Sequence, residues 1–274
     1  MFCSASWDGS VKVWSPVRGQ SLMTLVNPRK DHRHTSHVDL GSSTGGAGGV
    51  TGGLVPTPKG GGNNMSLPLS TSKPTVPNPI NDCVYQATFS PHDPSTLISV
   101  NSSSNCQLWD IRSPQPMQMN FIAHNGLEVL SCDYNKYRPT VIATASVDKS
   151  IKIWDLRMIP DLKHQFLPHG DKIGPSPLNK LIGHDFAVRK VTWSPHASDV
   201  LLSCSYDMTC KVWKDQMDDN ARFANSNRLF HGRALVNGFD KHREFVIGCD
   251  WSLWGSGFAA STGWDEMVYV WKAT

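Results

Sequence analysis

Five short stretches of this chain alternate in polarity and close on a tryptophan: VKVW at Trp14, CQLW at Trp109, IKIW at Trp154, CKVW at Trp213 and VYVW at Trp271. A period of two places successive side chains on opposite faces, so each stretch reads as a β-strand with one buried face. The tryptophans are 95, 45, 59 and 58 residues apart. The spacing of 45 is close to one four-stranded repeat unit, and the longer spacings require inserted loops. Counting back makes the register clear. Ten residues before each tryptophan stands a hydroxyl: Ser4, Ser99, Thr144, Ser203 and Ser261. Six residues before it stands an aspartate in four units (Asp8, Asp148, Asp207, Asp265) and Ser103 in the fifth. His124, His184 and His242 precede their aspartates by 24, 23 and 23 residues.

Polar satisfaction explains that combination. A buried indole N–H needs an acceptor, and a hydroxyl, an aspartate and a histidine can complete one closed network around it. The predicted networks are therefore His124–Thr144–Asp148–Trp154, His184–Ser203–Asp207–Trp213 and His242–Ser261–Asp265–Trp271. The Ser103 unit lacks its aspartate, and Pro79 stands about where its histidine should be. Histidine, aspartate and serine also compose a hydrolytic triad, but a triad occurs once per site and this set recurs at fixed offsets. No G-x-S-x-G elbow, H-E-x-x-H or phosphate-binding glycine loop accompanies it. No catalytic residue, cofactor or metal is expected.

A four-stranded unit repeated along a chain is the blade of an all-β propeller. Residues 1–26 read as a partial blade, residues 1–14 supplying its third strand and Ser21 to Val26 its outer strand. Residues 27–79 differ in composition, with ten glycines between Gly41 and Gly62, and read as a flexible insertion. Residues 80–274 read as four blades, at about 80–120, 121–165, 178–230 and 235–271. Met158 to Pro177 and Lys214 to Asn237 read as shorter insertions between blades. Propellers remove exposed sheet edges by closing, so the expectation is a seven-bladed parent with about two and a half further blades, on the order of 100 residues, preceding Met1.

Composition narrows the class. The seven cysteines form no C-x-x-C pair and suit buried reduced thiols better than a zinc site or a disulfide framework. The first residues lack the basic flank and apolar core of a signal peptide, and no apolar run reaches the roughly 18 residues that span a membrane. The net charge of +3 comes without a run of five like charges, which gives no reason to expect nucleic acid.

These motifs resemble the WD40 repeat family. Within it, HREFVIGCDWSLWG (242–255) followed by GWDEMVYVW (263–271) is similar to the last blade of fungal receptors for the type-2 peroxisomal targeting signal, the seventh peroxin. FCSASWDGS (2–10), LSCDYNKY (130–137) and SPHASDVLLSCSYD (194–207) agree with that resemblance. It implies a cytosolic receptor, shuttling to the peroxisome, for matrix proteins such as thiolase. The signal is an N-terminal Arg-Leu, five variable residues, then His or Gln and Leu. A co-receptor peroxin and docking peroxins at the peroxisomal membrane would be partners. Signal positions 1, 2, 8 and 9 share one face of a helix, so the receptor needs carboxylates for the arginine and an apolar floor for the leucines. Glu128, Glu244 and Asp82 stand at the entrances to first strands, and Trp7, Tyr206 and Trp264 just before turn aspartates. The same acids would suit an ordinary solvated surface, and the tryptophans inter-blade packing. A different class, the ubiquitin-ligase substrate adaptor, is suggested by the W-D-x-R boxes at 109–112 and 154–157.

Overall fold

The computed structural model describes residues 1–17, 19–27, 82–159, 175–215 and 234–274, and these belong to one compact unit. Within the described residues, eighteen strands form five antiparallel sheets. The first holds β1 (Phe2–Ala5), β2 (Ser10–Trp14) and β3 (Ser21–Val26); the second β4 (Val84–Phe89), β5 (Thr96–Asn101), β6 (Asn105–Asp110) and β7 (Met117–Ile122). The third holds β8 (Val129–Tyr134), β9 (Val141–Ser146), β10 (Ser150–Asp155) and β11 (Asn179–Ile182). The fourth holds β12 (Val188–Trp193), β13 (Val200–Ser205), β14 (Cys210–Lys214) and β15 (Leu235–Phe239), and the fifth β16 (Val246–Trp251), β17 (Phe258–Gly263) and β18 (Val268–Lys272). Each sheet is an up-and-down meander of neighbouring strands, as in a propeller blade.

Three sequence expectations need adjusting. Residues 1–14 contain two strands, not one, because the Ser-Trp-Asp-Gly turn separates Phe2–Ala5 from Ser10–Trp14. Asn179–Ile182 and Leu235–Phe239, read as openings of new blades, each close the sheet before. The last sheet accordingly has three strands. The reason is one of phase: the sequence unit begins at the histidine loop, and the strand just before that loop is the outer edge of the preceding sheet. The two shorter insertions therefore interrupt sheets between third and fourth strands; their residues 160–174 and 216–233, like 28–81 with Pro79, lie outside the described residues.

The sheets share no single core. Four apolar clusters lie one between each consecutive pair, and each receives the strand-closing tryptophan of the later sheet. Trp109 packs with Val11, Val13 and Leu97; Trp154 with Ile98, Phe121 and Tyr134; Trp213 with Ile151, Val191 and Trp193; Trp271 with Leu202, Val246 and Trp251. All seven cysteines are free thiols, and five are buried.

Two recurrent irregularities shape the ends of the sheets. Where each inner strand pairs with its neighbour, the register slips by one residue, at Tyr85, Leu130, Arg189 and Ile247. At the opposite end, the turn leaving each inner strand is capped by the side chain of Ser90, Asn135, Ser194 or Ser252, which accepts the backbone N–H two residues on. The third residue of three of these turns reaches the next sheet. His92 Nε2 meets the Asn135 carbonyl at 2.9 Å, Tyr137 O–H donates to the Pro195 carbonyl at 2.7 Å, and His196 Nε2 meets the Ser252 carbonyl at 2.8 Å. Trp254 holds the fourth such position and is 97% exposed. Tyr137→Phe, which removes only the hydroxyl, should lower stability by roughly 0.5–1.5 kcal/mol. Trp254→Ala should stay within about 0.5 kcal/mol. Urea midpoints check both, and equal effects would mean that the inter-sheet bonds contribute nothing.

Candidate functional site

The recurrent polar set is assembled on three sheets. His124 lies 2.9 Å from Asp148 through Nδ1 and 2.8 Å from the Thr144 hydroxyl through Nε2, and Thr144 accepts the Trp154 indole N–H at 2.9 Å. His184 spans 2.7 Å to Asp207 and 2.7 Å to Ser203, which accepts from Trp213 at 2.7 Å. His242 lies 2.9 Å from Asp265 and 2.9 Å from Ser261, which accepts from Trp271 at 3.3 Å. Donor capacity dictates the protonation of the Thr144 set. Asp148, an acceptor, fixes a proton on His124 Nδ1, and burial favours the uncharged ring, so Nε2 accepts the Thr144 hydroxyl, which itself accepts the Trp154 indole N–H. That imidazole is then neutral, with its proton on Nδ1 donated to Asp148. Each aspartate also fixes its turn through Oδ1: Asp148, Asp207 and Asp265 accept the N–H of Ser150, Thr209 and Met267. The residue between stands at positive φ in every case, namely Lys149, Met208 and Glu266.

The second sheet shows what replaces the missing members. Ser99 still accepts the Trp109 indole at 2.8 Å, but its hydroxyl donates to Gln107 Oε1 at 3.3 Å. Asn101 Oδ1 takes the turn N–H groups of Ser103 and Asn105. Neither substitute was foreseen, although Gln107 occupies the register of Lys152 and Lys211 and could have been found by aligning the strands.

Electrostatics follows burial. Desolvation pushes the imidazoles of His124 and His184 below their usual value, against the pull of Asp148 and Asp207. Burial alone would raise Asp148, but the hydrogen bonds from His124 and Ser150 outweigh it and hold the carboxyl at about 2. Asp207 is lowered in the same way by His184 and Thr209. The serine and threonine hydroxyls of these sets are buried and engaged on both sides, which leaves none placed as an open nucleophile.

The residues read from the sequence as peptide contacts stand on the rim built by these histidine loops and aspartate turns. Trp7 on the first sheet and Trp264 on the fifth are 75% and 61% exposed. Tyr206 is partly buried against Phe245, with ring centroids 5.1 Å apart, and Phe245 meets Trp264 at 5.3 Å, so three rings cross the boundary of the last two sheets. Phe245 was not anticipated; nor were Leu127 and Phe186, both exposed at the register of Asp82 and Glu244. Lys149 Nζ lies 5.9 Å from the Phe186 ring centroid. The three carboxylates differ. Asp82 accepts the Ser103 hydroxyl at 2.5 Å, Glu128 accepts the Tyr85 hydroxyl at 3.1 Å, and Glu244 is exposed. At the other end of the inner strands a cavity of about 220 Å³ is lined by Thr88, Asp133, Lys136, Lys190, Trp193 and Leu253. Its deepest charge, Asp133, is already met by Lys136 Nζ and the Trp193 N–H, both at 2.8 Å. Among the described residues no cluster of His, Cys, Asp or Glu could hold a metal ion, and no helix is long and apolar enough to cross a membrane.

Asp207→Ala strands the His184 donor and should cost roughly 1–3 kcal/mol, well beyond Ser103→Ala. The linkage has a definite sign. Imidazoles depressed in the fold stabilise it fully above their unfolded value near 6.5, and that contribution is lost as pH falls. The depressed carboxyl of Asp148 adds stability above about 3.9 that disappears toward about 2. Urea midpoints should therefore be level above about pH 6.5 and decline below it. A midpoint that rises on acidification would contradict the neutral-imidazole assignment.

Comparison with known proteins agrees with this architecture. Residues 78–213 match the model for the EIPR1 beta-propeller, and residues 1–15 that for the WD domain, G-beta repeat. The chain is 47% identical over 268 residues to the peroxisomal targeting signal 2 receptor of Komagataella phaffii, covering 96% of this chain and 65% of that protein. It is 42% identical over 278 residues to the receptor of the same name in Saccharomyces cerevisiae, covering 99% of this chain and 68% of that protein. Peroxisome biogenesis protein 7 of Arabidopsis thaliana is 42% identical over 96 residues, 35% of this chain and 26% of that protein. The chain thus spans about two thirds of the length of the yeast relatives. With five WD40-type sheets in register and this identity along nearly all its length, the chain belongs to the peroxisomal targeting signal 2 receptor family of WD40 β-propellers.

Proposed function

We propose that the chain supplies cargo-binding surface to a receptor for the type-2 peroxisomal targeting signal, cycling between cytosol and peroxisome. It acts by binding and not by catalysis: the recurrent hydroxyls and imidazoles are engaged with one another. The cargo is a matrix protein such as thiolase, held together with a co-receptor peroxin and passed to docking peroxins at the peroxisomal membrane. The observation that carries this reading is the alternation, on one rim, of aromatic rings with carboxylates in a chain so similar to named receptors. A helical signal that shows arginine and leucines on one face would set its leucines on Tyr206, Trp264 and Trp7 and its guanidinium on Glu128, Glu244 or Asp82.

The adaptor reading has no observation of its own. Arg112 bonds Asp110 and Asp93, and Arg157 makes a paired contact with Asp155, so both W-D-x-R arginines are engaged locally. Affinity capture discriminates the two: co-receptor peroxin and thiolase on one side, a ligase linker protein on the other. Recovery of the linker alone would overturn the receptor reading. Reversing a carboxylate that meets the signal arginine removes an attraction and adds a repulsion. Glu128→Lys should therefore cost roughly 2–5 kcal/mol of peptide affinity. Trp264→Ala should cost roughly 1–3 kcal/mol through lost apolar contact. Asp199→Lys, on a turn at the opposite end, should bind like wild type. Fluorescence anisotropy with a labelled Arg-Leu-x5-His-Leu peptide, co-receptor present, measures all three.

A further inference from the structure

The three rim carboxylates are not equivalent, and the difference points to one of them. Glu244 is exposed, with Lys241 and Arg243 nearby in the chain, and makes no hydrogen bond or ion pair with the described residues. An exposed pair with a ligand cation yields at most about a fivefold gain. Asp82 has one oxygen on Ser103 of its own sheet at 2.5 Å. Glu128 is half-buried, and its Oε2 accepts from Tyr85, a residue of the preceding sheet, at 3.1 Å. Among the described residues no other hydrogen bond or ion pair engages that carboxylate.

Tyr85 stands at the slipped position of the inner strand, where the register jumps from Val84 to Gln86. A bulge frees a side chain from cross-strand pairing and redirects it; here the tyrosine crosses the sheet boundary at the mouth of the inner strands. Burial, then Glu128, pushes its hydroxyl up to about 12, so it remains a donor at any physiological pH. The cation at the same register two sheets on, Arg189, donates instead to the Leu130 carbonyl at 3.5 Å. Exposed Leu127 adjoins Glu128 in the chain. The carboxylate is thus partly withdrawn from water and held at one oxygen, and among the described residues no cation pairs with it, Arg189 acting on Tyr85 only through its charge. Such a group gains about ten- to hundredfold from a guanidinium donor.

We infer that Tyr85 is a positioning residue that fixes the Glu128 carboxylate from across the sheet boundary, so that Glu128, and not Glu244 or Asp82, receives the arginine of the signal. This rests on the cargo reading above and assigns its charge-recognising contact.

The test uses the full receptor chain with its co-receptor and two labelled peptides, one with arginine at the first signal position and one with citrulline, a neutral analogue of the same shape. Wild type should prefer arginine by about tenfold or more. Glu128→Gln should abolish that preference and Glu244→Gln should keep it. Tyr85→Phe, which preserves the ring, should cut the preference at least about threefold while leaving citrulline-peptide affinity within about twofold. A purely structural tyrosine would weaken both peptides alike, and that result overturns the inference. So does a preference untouched by Tyr85→Phe, or one lost in Glu244→Gln. If wild type binds neither peptide, the cargo reading itself fails and takes this assignment with it.

Discussion

The tryptophan that closes each sheet has an acceptor for its indole N–H, and that bond organises the sheets; the buried Trp193, on an inner strand, has no such partner among the described residues. In every sheet the closing tryptophan donates to a hydroxyl ten residues earlier, from Trp14 on Ser4 to Trp271 on Ser261. The hydroxyl, having accepted, must dispose of its own proton in a place without water. An imidazole nitrogen lies within hydrogen-bond reach of it in three sheets and Gln107 accepts it in another, while the other ring nitrogen of each imidazole meets an aspartate. That aspartate closes the turn. Strand pairing, turn geometry and the approach of the histidine loop are thereby linked through one chain of donors. Losing a member leaves a buried group unmatched, which is costlier than the bond itself was worth.

This linkage explains what could be read from the sequence. Tryptophan, hydroxyl and aspartate lie on one hairpin, where covalent spacing cannot vary without breaking the network, so their offsets repeat. The outer strands Asn179–Ile182 and Leu235–Phe239 were misassigned because long segments separate them from the strands they pair with. Contacts between sheets were likewise illegible. Tyr85 with Glu128, Tyr206 with Phe245 and His92 with Asn135 join residues about 40 apart, and no short-range pattern records them. Gln107 is hidden for a different reason: it takes the histidine's place as acceptor from a strand, where the other sheets use a loop.

The rim gains its character from the same scaffold. Because the histidine loops and aspartate turns are held rigidly, the residues just outside them are presented with little freedom. Trp264 directly precedes Asp265, and Glu244 follows His242 by two residues. A surface built in this way loses little entropy on meeting a helix, which favours recognition by a few contacts.

The slipped position in each inner strand has an evolutionary consequence. Tyr85, Leu130, Arg189 and Ile247 occupy one place in four successive sheets, yet they are a phenol, two aliphatics and a guanidinium. Leu130 is buried, but Tyr85, Arg189 and Ile247 are not, and, exempt from cross-strand pairing, these three can exchange chemistry without disturbing the ladder on either side. The fold therefore offers selection a short row of interchangeable keys at the mouth of the inner strands, where a new partner could be accommodated one residue at a time while the buried networks stay unchanged.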